Sequence, residues 1–156
     1  YESSIPSGNA VAAMALLRLG KLCGRSDYLQ AADGIVNAAA GLVARVPSAV
    51  GQMLAAVDML LGPLPEIAII GDPARGDTAA VLSDLRGRYL PNRVVACRAP
   101  GREAGSQHLA PLFRGKSLCG AEPTVYLCEN FACQAPVSGR QAVIGLWDRL
   151  GRAESV

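Results

Sequence analysis

Apolar residues recur every three or four positions through the first 62 residues, which is the spacing of one face of an α-helix. The pattern predicts three helices, over residues 7–22, 26–46 and 48–61. Ser7 or Asn9 can cap the first helix, and Gly62 followed by Pro63 ends the third. The predicted apolar faces contain Val11, Met14, Leu17, Val50, Met53, Leu54, Val57, Leu60 and Leu61.

After Pro65 the pattern changes to short apolar runs, which predict strands over 66–70, 93–97 and 124–128 in one sheet. A helix from Asp77 to Tyr89 lies between the first two runs and predicts a β-α-β unit with parallel strands. The remaining predicted elements are a short helix at 107–113, an edge strand at 132–134 and a helix at 138–150 with Val143, Leu146, Trp147 and Leu150 buried.

These elements together predict an α+β fold of two parts. Residues 1–62 form a helical segment, residues 66–150 a small α/β segment of three to four strands, and residues 151–156 a frayed tail. The helices of the first part carry more apolar surface than three short helices can enclose. We therefore expect an exposed apolar face that another part of a longer protein covers.

Composition narrows the possible functions. The chain of 156 residues is 51% hydrophobic, which excludes a disordered chain. A net charge of +2 disfavours nucleic acid and anionic membranes as partners. No apolar run approaches the ~18 residues of a membrane helix, so we expect a soluble protein. Five cysteines, an odd number, argue against a secreted disulfide framework and favour a reducing, cytoplasmic location.

The cysteines are the first candidates for chemistry. Cys128 and Cys133 are separated by four residues, and Cys119 lies nine positions upstream of Cys128. This spacing matches neither a structural zinc site nor a thioredoxin-type redox motif, so we expect no metal and no cofactor. Three interpretations stay open for Cys128 and Cys133: unliganded thiols near a strand–turn–strand corner, a disulfide, or a transient redox pair.

The other polar motifs do not predict a catalytic site. His108 is the single histidine and has no organised carboxylate motif around it, so no catalytic residue is predicted. The loop 71–77 follows a strand and precedes a helix, but it lacks a nucleotide-binding glycine pattern and carries two acids. The turn 6–9 is either a helix cap or a polar lining of a cleft.

Three runs carry a family resemblance: Pro6-Ser7-Gly8-Asn9-Ala10-Val11-Ala12-Ala13, Met53-Leu54-Ala55-Ala56 with Gly62-Pro63, and Tyr126-Leu127-Cys128-Glu129-Asn130-Phe131-Ala132-Cys133-Gln134-Ala135-Pro136. In order and spacing they resemble the C-terminal end of spermatogenesis-associated protein 20-like, thioredoxin-domain-containing proteins. The resemblance implies a thioredoxin-like domain, whose redox motif is absent here, then an α/α toroid similar to six-hairpin glycosidases and N-acylglucosamine 2-epimerases, then a terminal segment.

This chain would then be the last toroid helices and the terminal segment, with Glu2, Ser7 and Asn9 lining the central cavity. Two functions follow from the resemblance. The chain is a non-catalytic structural or interaction portion of a larger thioredoxin-domain-containing protein, or it forms part of the cleft wall of a carbohydrate-active, epimerase- or glycosidase-like enzyme. The expected partners are the remainder of the parent chain and, in the second case, a sugar-like ligand. A first residue Tyr1 instead of Met also suggests a piece of a larger protein.

Overall fold

The computed structural model describes residues 5–102 and 107–153. Its helices and sheet form an α+β fold in which the helices come first, as predicted. The chain divides into two compact units, a helical unit of residues 1–64 and an α/β unit of residues 65–156. Across the described ranges, no helix is both long enough and apolar enough to cross a membrane.

The helical unit has the three predicted helices, with ends displaced by at most three residues. A 3₁₀ turn at Pro47–Ala49 separates the second helix from the third, because Pro47 cannot donate the hydrogen bond that would continue the helix. The first helix starts at a serine cap, since Ser7 Oγ accepts the Ala10 N–H at 3.2 Å. The helices are α1 (Gly8–Cys23), α2 (Ser26–Arg45) and α3 (Gly51–Leu61).

Two glycines let α1 and α2 pack closely. Gly24 ends α1 with a φ of 63°, a left-handed conformation in which glycine has no steric cost. Gly20 lies so close to α2 that a Cβ added there would be 2.5 Å from Leu29 Cδ2. The core of the unit therefore consists mainly of small and medium side chains: Ala10, Ala13, Val36, Val50, Met53 and Ala56.

The predicted apolar faces are wrong at three positions. Val11, Leu54 and Leu61 are 52%, 36% and 80% exposed. On α1 the buried positions are Ala10, Ala13, Leu17, Gly20 and Lys21, and on α3 they are Met53, Ala56 and Met59. The helical spacing is present on more than one face, so the choice of the buried face depends on the neighbouring helices.

The α/β unit begins with the predicted β-α-β unit. Parallel pairing places Ile67 opposite Val95 and Ile69 opposite Cys97. The strands are β1 (Glu66–Ile70), β2 (Val94–Arg98), β3 (Thr124–Glu129), β4 (Ala132–Cys133) and β5 (Val137–Ser138), and the helices are α4 (Gly76–Arg86), α5 (Ala110–Phe113) and α6 (Arg140–Ala153).

The sheet order is β2-β1-β3, with β4 and β5 both paired to the outer edge of β3. β3 runs antiparallel to β1, and β4 and β5 run antiparallel to β3. The sequence prediction lacks β5 because it begins the last helix at residue 138, whereas Ser138 belongs to β5 and the helix begins at Arg140. Residues 134–136 interrupt this edge, and Pro136 is tolerated there because an edge strand need not donate a hydrogen bond.

One face of the sheet packs on α4 and α6. Trp147 is completely buried in this core, as predicted from the spacing of α6, whereas Leu150 is only partly buried. Tyr89, predicted on the buried face of the preceding helix, is 87% exposed because α4 already ends at Arg86. The buried core contains Ile67, Ile69, Val81, Leu85, Leu90, Val125, Leu127, Val143, Leu146 and Trp147.

The opposite face of the sheet carries polar side chains. Alternation along β1 and β3 places Glu66, Thr124, Tyr126 and Cys128 on this side. Glu66, Thr124 and Cys128 are at most 1% exposed and Tyr126 is 9% exposed. Such polar groups are stable in the interior only when they are hydrogen-bonded, so their partners identify the candidate site.

Candidate functional site

The β3–β4 hairpin holds a disulfide between Cys128 and Cys133. The two residues are direct cross-strand partners, so the antiparallel register brings their side chains to the same side. Cys128 is 1% exposed, whereas Cys133 is exposed. Of the three interpretations that the spacing leaves open, the structure has the covalent pair.

The turn of this hairpin is tight. Asn130 and Phe131 are its two central residues, with φ values of 49° and 64°. Two positive φ values in a two-residue connection are typical of a type I′ turn, where Asn is favoured at the first position. Phe131 is an unusual second residue, because a bulky side chain in the left-handed region costs about 1–3 kcal/mol. Other contacts must therefore hold the turn.

Glu66 supplies such a contact. Its carboxylate accepts the Phe131 N–H at 3.1 Å to Oε2 and 3.4 Å to Oε1. Glu66 lies on the central strand β1, is 1% exposed and is the register partner of Cys128. A buried carboxylate that accepts a backbone N–H makes a charge-assisted hydrogen bond. The turn is thus linked to the sheet interior through one acidic side chain.

Lys116 interacts electrostatically with this carboxylate. Burial lowers the pKa of Lys116, and the negative charge of Glu66 acts in the opposite direction. Its Nζ atom is 5.9 Å from the centre of the Tyr126 ring. Tyr126 Oη donates to Ser117 O at 2.8 Å and accepts the Ser117 N–H at 3.2 Å, which ties the loop before β3 to the sheet. We name Glu66, Lys116, Cys128, Phe131 and Cys133 the hairpin cluster.

The other cysteines are free thiols. Cys119 is exposed, with its Sγ 3.7 Å from Tyr126 Oη. Cys97 donates to Gly71 O at 3.5 Å, and burial raises the pKa of its thiol. Cys23 is partly buried. Within residues 5–102 and 107–153 no three His, Cys, Asp or Glu side chains are grouped to hold a metal ion, and His108 is exposed in a 3₁₀ turn.

Of the three predicted cavity-lining residues, the structure describes Ser7 and Asn9. Ser7 caps α1 with its hydroxyl, and Asn9 is exposed in the first turn of that helix. Glu2 lies outside the described residues. Their placement in a toroid cavity stays a prediction.

The two acids of the loop 71–77 accept hydrogen bonds from nearby backbone N–H groups. Asp72 Oδ1 accepts the Ala74 N–H at 3.0 Å, and Asp77 Oδ1 accepts the Thr78 N–H at 2.7 Å. The Thr78 N–H and then Arg75 hold the pKa of Asp77 below its usual value. The start of α4 therefore already has a carboxylate where a phosphate would bind.

A pocket of about 300 Å³ lies where α4 and α6 end. Its lining includes Tyr89, Trp147 and the ion pair Arg88–Asp148, whose Nη2–Oδ1 distance is 2.6 Å. The Nε1–H group of Trp147 is buried without a hydrogen-bond partner within the described part of the chain. The sequence pattern predicts Trp147 as a core residue and gives no indication of this pocket.

Sequence reasoning missed Glu66 as a site residue. The available signal was a charged residue at the start of an otherwise apolar run, Glu66 to Ile70, predicted to be a buried strand. A buried acid requires a partner. The partner lies 65 positions away in the turn at Phe131, and no local pattern connects the two.

Comparison with known proteins finds relatives that match most of this chain. No protein-family model matches the chain, and no solved structure matches it. Spermatogenesis-associated protein 20 of Rattus norvegicus is 32% identical over 137 residues, 88% of this chain and 17% of that protein. The Homo sapiens protein is 29% identical over the same length. An uncharacterized protein of Caenorhabditis elegans is 24% identical over 151 residues, 95% of this chain and 20% of that protein.

The chain therefore spans about a sixth of the length of the mammalian relatives, and the match reaches across both of its units. Several matches of this length and identity establish common ancestry for the matched region. The chain is homologous to a segment of the spermatogenesis-associated protein 20 proteins.

Proposed function

We propose that this chain is a non-catalytic structural and interaction portion of a longer protein of the spermatogenesis-associated protein 20 type. In this proposal α1, α2 and α3 are the last helices of an α/α toroid, and the α/β unit is the terminal segment of a protein that also has a thioredoxin-like domain. The limited coverage of the relatives supports a longer parent chain.

The observation that carries the proposal is an exposed apolar stripe on α1. Val11, Ala15 and Leu19 follow each other at intervals of four, and all three are exposed. The opposite side of the helix buries Ala10, Ala13, Leu17 and Gly20. An amphipathic helix of a self-contained unit has its larger apolar residues inside. Here Val11 and Leu19 are outside, where another part of the protein can cover them.

The third helix repeats this arrangement. Leu54 and Leu61, seven positions apart, are 36% and 80% exposed, while Met53, Ala56 and Met59 are buried. Contiguous exposed apolar surface usually marks a protein contact, because covering it gains about 25 cal/mol per Å². We name Val11, Ala15 and Leu19 on α1 the outer helix stripe.

Substitutions in the full-length parent protein test this function. The double substitution Val11→Asp and Leu19→Asp should lower its melting temperature, because the stripe would be covered there and two charges would be buried. The same pair should change residues 1–156 alone very little. Ala31→Asp, at an exposed position of α2, is the control for an added charge. A full-length protein that melts at the wild-type temperature with both substitutions would contradict the proposal.

A further inference from the structure

We propose that the Cys128–Cys133 disulfide is a dithiol–disulfide exchange site in which the sulfur of Cys133 is the one attacked. This activity is independent of the structural role proposed above. It rests on the difference between the two cysteines in burial and in anchoring.

Burial distinguishes the two sulfurs. Cys133 is exposed and lies on the edge of the sheet, whereas Cys128 is 1% exposed on β3, between β1 and β4. Thiol–disulfide exchange needs the attacking thiolate to approach the S–S bond in line with it, so access selects the attacked atom. An incoming thiolate can reach Cys133 from solvent, and Cys128 is then the leaving group.

Anchoring distinguishes them as well. Cys128 belongs to a six-residue strand with partners on both sides, and its register partner on β1 is Glu66. Cys133 belongs to a two-residue edge strand. After reduction Cys128 remains fixed in the sheet. Cys133 stays beside it through the pairing of β4 with β3, the Phe131 N–H bond to Glu66 and the Gln134 N–H to Leu127 O bond of 2.9 Å. The two thiols are thus held near each other for reoxidation.

The exchange balances with a dithiol as the second reactant. One thiolate of the dithiol attacks Cys133 Sγ, the Cys128–Cys133 bond breaks, and its electron pair goes to Cys128 Sγ, which takes a proton from solvent. The second thiolate of the dithiol then attacks the first sulfur of the dithiol, which is bonded to Cys133 Sγ in the mixed disulfide. Cys133 leaves as a thiolate, and the dithiol is oxidised by two electrons while the protein disulfide is reduced.

The experiment compares two single-cysteine variants of the pair. Both are made in a Cys119→Ser background, because Cys119 is an exposed free thiol that would react as well. Each variant is treated with 5,5′-dithiobis(2-nitrobenzoate) without denaturant, and mass spectrometry identifies the modified residue. In Cys128→Ser, Cys133 should form the mixed disulfide about tenfold or more faster than Cys128 does in Cys133→Ser. Equal rates, or faster reaction of Cys128, would overturn the proposal.

A second measurement uses the wild-type chain, so it does not depend on whether the variants fold. The wild-type chain is treated with dithiothreitol at increasing concentrations, and the reduced fraction is measured by alkylation. If the exchange takes place in the folded protein, the rate of reduction should be proportional to the dithiothreitol concentration and unchanged by low urea. A rate that becomes independent of dithiothreitol and rises with urea would mean that reduction requires unfolding, and the disulfide would then be only structural.

Discussion

The helical unit and the α/β unit bury different kinds of side chain. Among the described residues the completely buried apolar positions of the helical unit are alanines, whereas those of the α/β unit include Ile67, Ile69 and Trp147. Small side chains let helices approach each other closely, as at Gly20. A sheet covered by α4 and α6 instead encloses large side chains in a thick core.

The two units also differ in the large hydrophobic residues that they expose. Of the residues that the structure describes, two large hydrophobic ones of the α/β unit, Tyr89 and Phe131, are exposed, against five of the helical unit. Phe131 is at the tip of a hairpin, where exposure follows from the turn. The five in the helical unit are Ile5, Val11, Leu19, Leu54 and Leu61. The described part of the helical unit thus exposes more of its large hydrophobic residues than the described part of the α/β unit does.

The largest effect expected from this comparison is that of Ile69→Ala. Ile69 is completely buried in the core of the α/β unit, so removing its side chain should cost about 2–5 kcal/mol of unfolding free energy. Urea denaturation followed by circular dichroism at 222 nm measures the loss, because both units contain helices. The matched change Leu19→Ala removes an exposed side chain and should cost less than about 0.5 kcal/mol. Similar losses from both would show that the contrast between the units is wrong.

A smaller effect is expected where α1 meets α2. In Gly20→Ala the new Cβ would lie 2.5 Å from Leu29 Cδ2 and 3.1 Å from Arg25 O, so overpacking should cost about 1–3 kcal/mol. Gly34 is a matched control on α2, because nothing lies within 4 Å of a Cβ there. Gly34→Ala should stabilise the helix by about 0.5–1 kcal/mol. Thermal melts followed by circular dichroism at 222 nm would compare the two, and stabilisation by Gly20→Ala would exclude close packing of α1 on α2.

The third prediction concerns the buried acid of the hairpin cluster. Glu66→Gln keeps an oxygen that can accept the Phe131 N–H but removes the charge, so it should cost about 1 kcal/mol. Glu129→Gln removes the same charge from an exposed position of the same strand and should change stability by less than about 0.5 kcal/mol. Urea denaturation of both variants at neutral pH measures the difference. Equal effects would mean that the buried charge does not stabilise the turn.

The smallest effect concerns the ion pair between α4 and α6. Arg140 donates to Asp84 from Nε at 2.8 Å and from Nη2 at 3.1 Å, and this holds the pKa of Asp84 below its usual value of 3.8. The unfolded chain therefore takes up this proton first as the pH falls. The stabilisation is present above about pH 4 and is lost as the pH drops through the lower, folded-state pKa.

Thermal melts of the wild type and of Asp84→Asn test this pH dependence. The melting temperature of the wild type should fall more between about pH 5 and pH 3 than that of the variant, which has no proton to take up at this position. Added salt should reduce the difference, because the pair lies at the surface. Identical pH profiles would show that the ion pair adds nothing to the stability of the α/β unit.

Much of the fold follows from the sequence alone. The spacing of apolar residues predicts the three N-terminal helices, the β-α-β unit, β3 and α6, because each of these elements is long enough to repeat its pattern. Pro47, Gly62 and Pro63 mark helix ends through backbone chemistry that does not depend on the neighbours. The sequence also predicts that the chain reverses direction between Cys128 and Cys133, because these residues lie in two successive predicted strands.

The tertiary structure alone decided which faces are buried and which polar groups meet. Val11 and Leu54 have the spacing of core residues, yet their exposure depends on how α1, α2 and α3 pack together. Glu66 and Phe131 are 65 positions apart and meet only because β1 pairs with β3. Local periodicity records the preference of each segment for helix or strand. Burial and long-range hydrogen bonds depend on which segments lie beside it, and that is a property of the folded chain.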